Sequence, residues 1–290
     1  KMNPGLNLGD LANDLAIKGD TTFIAVSTSK TIEAFRISTG KSLGRLILQG
    51  HRQPRELCIA GDRGYVTDLY DSSITAFDTR SMTITRSRRR VGPAPEGIVA
   101  HNGYLYVANS GYGDYLADRP KAGTISVLDL HRLRERKLLE AGPNVTELQV
   151  NPVNDRLYAL FLHLPSQEDS LGGIVEYDAN SHTELRRWRM DAKSMQMSVT
   201  GDTLFFFHDN DLAMLELRQQ SPAPKKLIDN PNGGEIWYSL GVDPDGEHLW
   251  IGNAKNYQVK GEVYLYELNN LSSPEKIFKV GINPGVISFF

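Results

Sequence analysis

The chain has 290 residues, 40% of them hydrophobic and 23% charged, which is enough to bury a substantial core without disulfide or metal staples. Its 32 lysines and arginines against 35 aspartates and glutamates leave a formal charge of -3, so no global positive field exists to draw in nucleic acid or an anionic membrane surface. The single cysteine, Cys58, can close no internal disulfide, and no apolar run reaches the roughly 18 residues of a membrane span.

Read in chain order, one pattern returns six times. A short apolar strand carrying an aromatic residue occurs at 19–26, 61–68, 102–109, 154–161, 201–208 and 246–253. Each is followed by a strand with period-two alternation, at 31–36, 73–78, 124–129, 173–178, 211–216 and 262–267. Five of these second strands close on an acid, Asp78, Asp129, Asp178, Glu216 and Glu267, which suits a turn. The aromatics of the first strand, Phe23, Tyr65, Tyr106, Tyr158, Phe205 and Trp250, are spaced by 42, 41, 52, 47 and 45 residues. Between repeats there is room for an outer strand such as 43–48 or 184–190 and an inner strand such as 56–61 or 96–101. Four antiparallel strands per repeat of this length, with no amphipathic helix, predict an all-β fold: a single β-propeller domain over residues 1–290.

Labelling the strands of a blade A to D from the axis outward, inner A strands are expected near Asp14, Arg55, Glu96, Thr146, Met195 and Trp237. A seventh is expected at 285–290, which makes a seven-bladed ring whose last blade is completed by residues upstream of Leu11; a six-bladed ring is the alternative. The distance from the B-strand aromatic to the matching C-strand residue varies over 12, 12, 22, 19, 10 and 16, whereas the return to the next B strand is 30, 29, 30, 28 and 35. Variation is therefore concentrated in the B–C loops and in one D–A connection, 228–237, and these share one face of a propeller. Insertions gathered on one rim mark the binding face, because a loop there disturbs no strand pairing.

The candidate ligand-binding residues follow from that rim. The inserted loops offer Tyr112, Tyr115, His163, Asn256 and Tyr257, and shorter loops add Tyr70, His208 and Asn210. At the inner strand starts, Arg55, Glu96, Asn144, Met195, Trp237 and Tyr238 are expected to ring the channel mouth. Flat amphipathic rings with amide donors suit a planar or ring-bearing organic molecule. Chemistry is thinner: there is no nucleophile elbow, zinc-protease motif, P-loop or CxxC pair, and the seven histidines lack metal-ligand spacing. No cofactor, metal or catalytic residue is expected. Asp209, Asn210 and Asp211 form an oxygen cluster without a bidentate glutamate, and Arg86, Arg88 and Arg90 fit an outer strand whose charge blocks edge pairing.

The stretch YVTDLYDSSITAFDT at 65–79, echoed at 105–130, resembles the YVTN family of bacterial propellers. The segments 8–14, 65–74 and 252–267, with KVGINPG at 279–285, are more specifically similar to surface propeller lipoproteins of Bacteroidetes-type bacteria, some of which capture vitamin B12 for a TonB-dependent outer-membrane transporter. The resemblance implies an exported protein at the outer-membrane surface or in the periplasm, with an upstream lipid anchor as its one link to the membrane. It also implies capture of a small molecule, a corrinoid first, and docking on a transporter partner. Asn253, Lys255, Asn256, Tyr257 and Gln258 match that family's long sixth-blade loop. A metal-dependent propeller hydrolase or lactonase is the alternative, and it requires several carboxylates at the inner strand mouths.

Overall fold

The computed structural model describes residues 10–50, 52–151, 153–167, 171–231 and 233–290. Six four-stranded antiparallel sheets follow one another along the chain. Blade one is β1 (Ala12–Lys18), β2 (Thr21–Val26), β3 (Thr31–Arg36) and β4 (Ser42–Ile47). Blade two is β5 (Pro54–Ala60), β6 (Arg63–Asp68), β7 (Ser73–Asp78) and β8 (Thr83–Arg90). Blade three is β9 (Pro95–His101), β10 (Tyr104–Asn109), β11 (Thr124–Asp129) and β12 (Glu135–Glu140). Blade four is β13 (Val145–Asn151), β14 (Arg156–Phe161), β15 (Gly173–Asp178) and β16 (Thr183–Arg189). Blade five is β17 (Ala192–Met197), β18 (Thr203–His208), β19 (Asp211–Glu216) and β20 (Lys225–Ile228). Blade six is β21 (Ile236–Val242), β22 (His248–Lys255), β23 (Glu262–Glu267) and β24 (Lys276–Lys279). Among the described residues, helix is confined to two three-residue 3-10 turns, Leu69–Asp71 and Gly113–Tyr115.

Local chemistry explains the hairpins. Each A–B turn contains a residue in the left-handed region, Gly19, Gly61, Asn102, Asp155, Gly201 or Gly246. Glycine, asparagine and aspartate adopt that conformation at low cost, which the two-residue hairpin turns of blades one to three require and the longer turns of blades four to six also use. Where an acid closes a C strand it can start the next turn: Asp78 accepts the N–H groups of Arg80 and Ser81, and Asp178 those of Asn180 and Ser181. The B strands are buried on both faces because a neighbouring blade covers each side; residues 23–26 and 157–161 are buried throughout.

Packing between blades supplies the core. Phe23, Ala25 and Ile32 of blade one meet Leu57, Val66 and Phe77 of blade two in one cluster. Comparable clusters join blades two and three, three and four, four and five, and five and six. The junction of blade six with blade one is built differently. There Ile24, Val26 and Phe35 form a small separate cluster, and the segment 280–286 lies beside Ala12, Leu15 and Ile24.

The described residues form six blades, which corrects the expected seven. Residues 285–290 form no strand, and residues 1–9 lie outside the described residues. Among the described residues this segment pairs with no strand, and its apolar side chains lie on blade six. Ser239 Oγ donates to the Pro284 carbonyl at 2.6 Å, Ile287 and Phe289 crowd the space over Gly241, and Phe289 meets Trp250 edge-on at 5.9 Å. The alternation of Ile287 and Phe289 that reads as a strand reports a one-sided apolar face, which a docked tail has as well as a strand.

Candidate functional site

Six inner strands, β1, β5, β9, β13, β17 and β21, surround the axis. Each carries a register irregularity where it enters the loop-rich end: at Ala12/Asp14, Pro54/Leu57, Val145/Glu147, Lys193/Met195 and Trp237/Ser239, and opposite Val107/Asn109 in β9. A bulge leaves a residue outside the ladder and re-aims its side chain. The residues released in this way include Arg55, Glu56, Glu96, Ser194 and Tyr238, and all five line cavities at the axis. Two such cavities, about 240 and about 260 Å3, share Arg55, Glu56, Glu147, Ser194 and Tyr238 and are continuous.

Charge dominates this channel. Arg55 Nε donates to Glu96 Oε2 at 3.1 Å, and Glu96 is buried. Asp14 Oδ2 accepts the Leu57 N–H at 2.7 Å, so the side chain of one inner strand ties down the next. Glu147 Oε2 accepts the Met195 N–H at 2.9 Å and Gln149 Oε1 that of Met197 at 2.8 Å in the same way. Burial pushes Asp14 up to about 6 and Glu147 up to about 7. Burial, then the charges of Asp14 and Glu96, push Glu56 well above the ordinary carboxylate range.

The sequence-predicted residues fall into three groups. Arg55, Glu96, Trp237, Tyr238 and Tyr257 border one cavity. Tyr238 and Tyr257 meet edge to face at 5.5 Å and remain 41% and 42% exposed. Tyr70, Tyr112 and Tyr115 form a second aromatic set, in contact in series at 6.1 and 6.3 Å, and all three are exposed. Arg88 anchors the Tyr70 loop by donating two hydrogen bonds to Asp71, at 2.9 and 2.8 Å. The remaining polar residues hold the loops in place. Asn144 accepts the Gly113 N–H, His208 Nδ1 bonds the Asp191 carbonyl, and Asn210 donates to the Glu235 carbonyl. Asn256 closes its own turn with the N–H groups of Gln258 and Val259, and His163 is exposed after β14.

Two expectations about the mouth are corrected. Met195 is 2% exposed in the core between blades four and five, and its backbone alone takes part in the inner ring. Trp237 is 3% exposed and packs on Phe207 at 5.8 Å between blades five and six, so it forms a buried wall rather than an open anchor. Glu56 and Glu147 were missed. Their signal is a glutamate directly before a buried leucine inside an inner strand, present in PRELCIA and VTELQVN. The loops do gather on one face: Asp114 of the blade-three loop accepts from Ser166 of the blade-four loop, and Tyr70 reaches Tyr112 from blade two.

No protein-family model matches this chain, and no curated protein matches its sequence. Its structure is similar to that of Kuenenia stuttgartiensis hydrazine synthase, with a TM-score of 0.76. The chain is a β-propeller. The likeness covers 92% of this propeller and 80% of the other chain at 17% identity, which shows the fold alone.

Proposed function

We propose that this propeller is a non-enzymatic ligand-capture protein of the YVTN type, working outside the cytoplasm at a bacterial outer-membrane surface. It holds a ring-bearing small molecule at its loop-rich face for an outer-membrane transporter, and its membrane link is a lipid anchor beyond this chain. The observation that carries the reading is the set of part-exposed tyrosines around the channel mouth, Tyr238 with Tyr257 and Tyr70 with Tyr112 and Tyr115. Rigid amphipathic rings give large contact area at small entropic cost, and function in repeat folds sits where loops vary. A corrinoid is the first compound to test; it is far larger than either axial cavity and would lie across the rim.

Calorimetry with cobalamin and cobinamide tests this. Anchors in a buried contact are each worth about 2 kcal/mol or more, so the double variant Tyr238→Ala and Tyr257→Ala should weaken binding by roughly 100-fold or more. Absence of heat with both corrinoids removes that ligand class, and affinity indifferent to the double variant removes the site. The second reading, a metal-dependent hydrolase, draws support from the four inner-strand carboxylates Asp14, Glu56, Glu96 and Glu147. Stoichiometric metal after dialysis, together with lactone turnover that a chelator abolishes, would decide for it.

A further inference from the structure

The channel below the tyrosine pair gathers more carboxyl groups than cationic side chains. Asp14, Glu56, Glu96 and Glu147 come from four consecutive inner strands, while the guanidinium among them, Arg55, is committed to Glu96. Lys193 borders the cavity but is exposed and leans 3.7 Å from Asp191. Asp14 and Glu147 each accept one backbone N–H. Glu56 is different: it is part-buried, its carboxylate makes no hydrogen bond or ion pair among the described residues, and it borders both cavities. A part-buried carboxylate without a partner, set among other carboxylates, is costly to ionise, and a positive charge placed in the cavity would remove that cost. Tyr238 and Tyr257 line the same cavity, and their ring faces attract cations.

Geometry separates the kinds of cation. Oxygens that share one metal ion lie close together, because metal–oxygen distances are about 2.0 to 2.6 Å. Among the described residues, the one group of three acidic or imidazole side chains with ligand atoms within 4.8 Å of one another is Asp243, Asp245 and His248, at the β21–β22 turn. The channel carboxylates are spread more widely, across an aromatic-walled space, which suits a cation with a carbon skeleton. We infer that the channel takes the protonated amine of a small organic molecule, its ammonium group bonded to Glu56 and its skeleton lying against Tyr238 and Tyr257. This rests on the reading of the loop-rich face as a small-molecule site and adds the charge of its ligand.

Affinity then depends on pH. Glu56 is faced by Asp14 on β1, Arg55 and Cys58 on its own strand, Glu96 on β9, Glu147 on β13, Lys193 on β17 and Tyr238 on β21. The carboxylates held above their ordinary range keep protons near neutrality, and an ammonium ion favours their ionised form. Binding therefore tightens as pH rises.

The test is calorimetry on the full chain with benzylamine and its neutral counterpart benzyl alcohol. Benzylamine is expected to bind at least tenfold tighter than the alcohol at pH 8, to weaken at least threefold at pH 5.5, and to lose at least tenfold in Glu56→Gln. Tyr257→Leu, a change at a part-exposed ring, is the second variant and should cost several-fold with an unchanged melting curve. Equal affinity for the two probes, or benzylamine binding indifferent to both variants, overturns the amine and leaves the surface-capture reading in place. Calcium or zinc binding that Glu56→Gln abolishes, without benzylamine binding, overturns it in favour of a metal. Absence of benzylamine binding overturns it too, and failure of cobalamin and cobinamide beside it removes the corrinoid class separately.

Discussion

Replacing Glu147 by glutamine should stabilise this protein at pH 8 and do little at pH 5. Burial raises the Glu147 carboxyl from an ordinary 4.5 to about 7, with the Met195 N–H working against the rise and the charge of Glu96 adding to it. A carboxylate raised in the folded state costs nothing below its unfolded value, and its penalty grows as pH rises through 4.5 and is complete above about 7. A rise of about 2.5 units at 1.36 kcal/mol per unit gives a penalty of about 3 kcal/mol at pH 8, and under about 1 kcal/mol at pH 5. Glutamine keeps an oxygen to accept the Met195 N–H, so the inner-strand stitch survives while the charge is removed. For a chain of 290 residues, about 3 kcal/mol corresponds to roughly 5 °C in melting temperature. Thermal melts of both proteins at pH 5, 6.5 and 8 measure it. A difference between the proteins that does not grow with pH, or a glutamine variant less stable at pH 8, would refute the reasoning.

Trp237→Ala should destabilise the fold by about 3 to 5 kcal/mol in urea, because the indole is 3% exposed and packed on Phe207; a loss below about 1 kcal/mol would place the ring outside the core. Gly142→Ala should cost about 2 kcal/mol or more in the same assay, since its φ is +146° and an added Cβ would sit 2.5 Å from Phe161 Cδ2. Burial, then the charges of Asp14 and Glu56, push the Cys58 thiol well above its usual range, so a thiolate-selective disulfide reagent at pH 8 should label the native chain slowly and the urea-unfolded chain at once. Fast native labelling would count against that environment.

What this sequence settles on its own is whatever short-range chemistry controls. The six C strands occupy 31–36, 73–78, 124–129, 173–178, 211–216 and 262–267, as their alternation predicts. Their closing acids and the glycine, asparagine or aspartate of each A–B turn act within a few residues of themselves, so the repeat and the loop-bearing rim are written in local spacing. The tail at 285–290 shows the limit of that reading, because alternation cannot distinguish a strand with a ladder partner from a segment lying on blade six. The channel lining needed the tertiary structure for a related reason. Neighbouring residues of a strand face opposite ways, so a bulge of one residue reverses which of them points at the axis. Every inner strand bulges at its mouth, presenting Ser194 where Met195 was expected, keeping Tyr238 at the mouth while Trp237 packs into the core, and turning Glu56 beside Arg55 into the channel. Their proximity to Asp14, Glu96 and Glu147 arises from the packing of consecutive inner strands, β1 on β5, β5 on β9 and β9 on β13, across more than a hundred residues, and no local pattern encodes it.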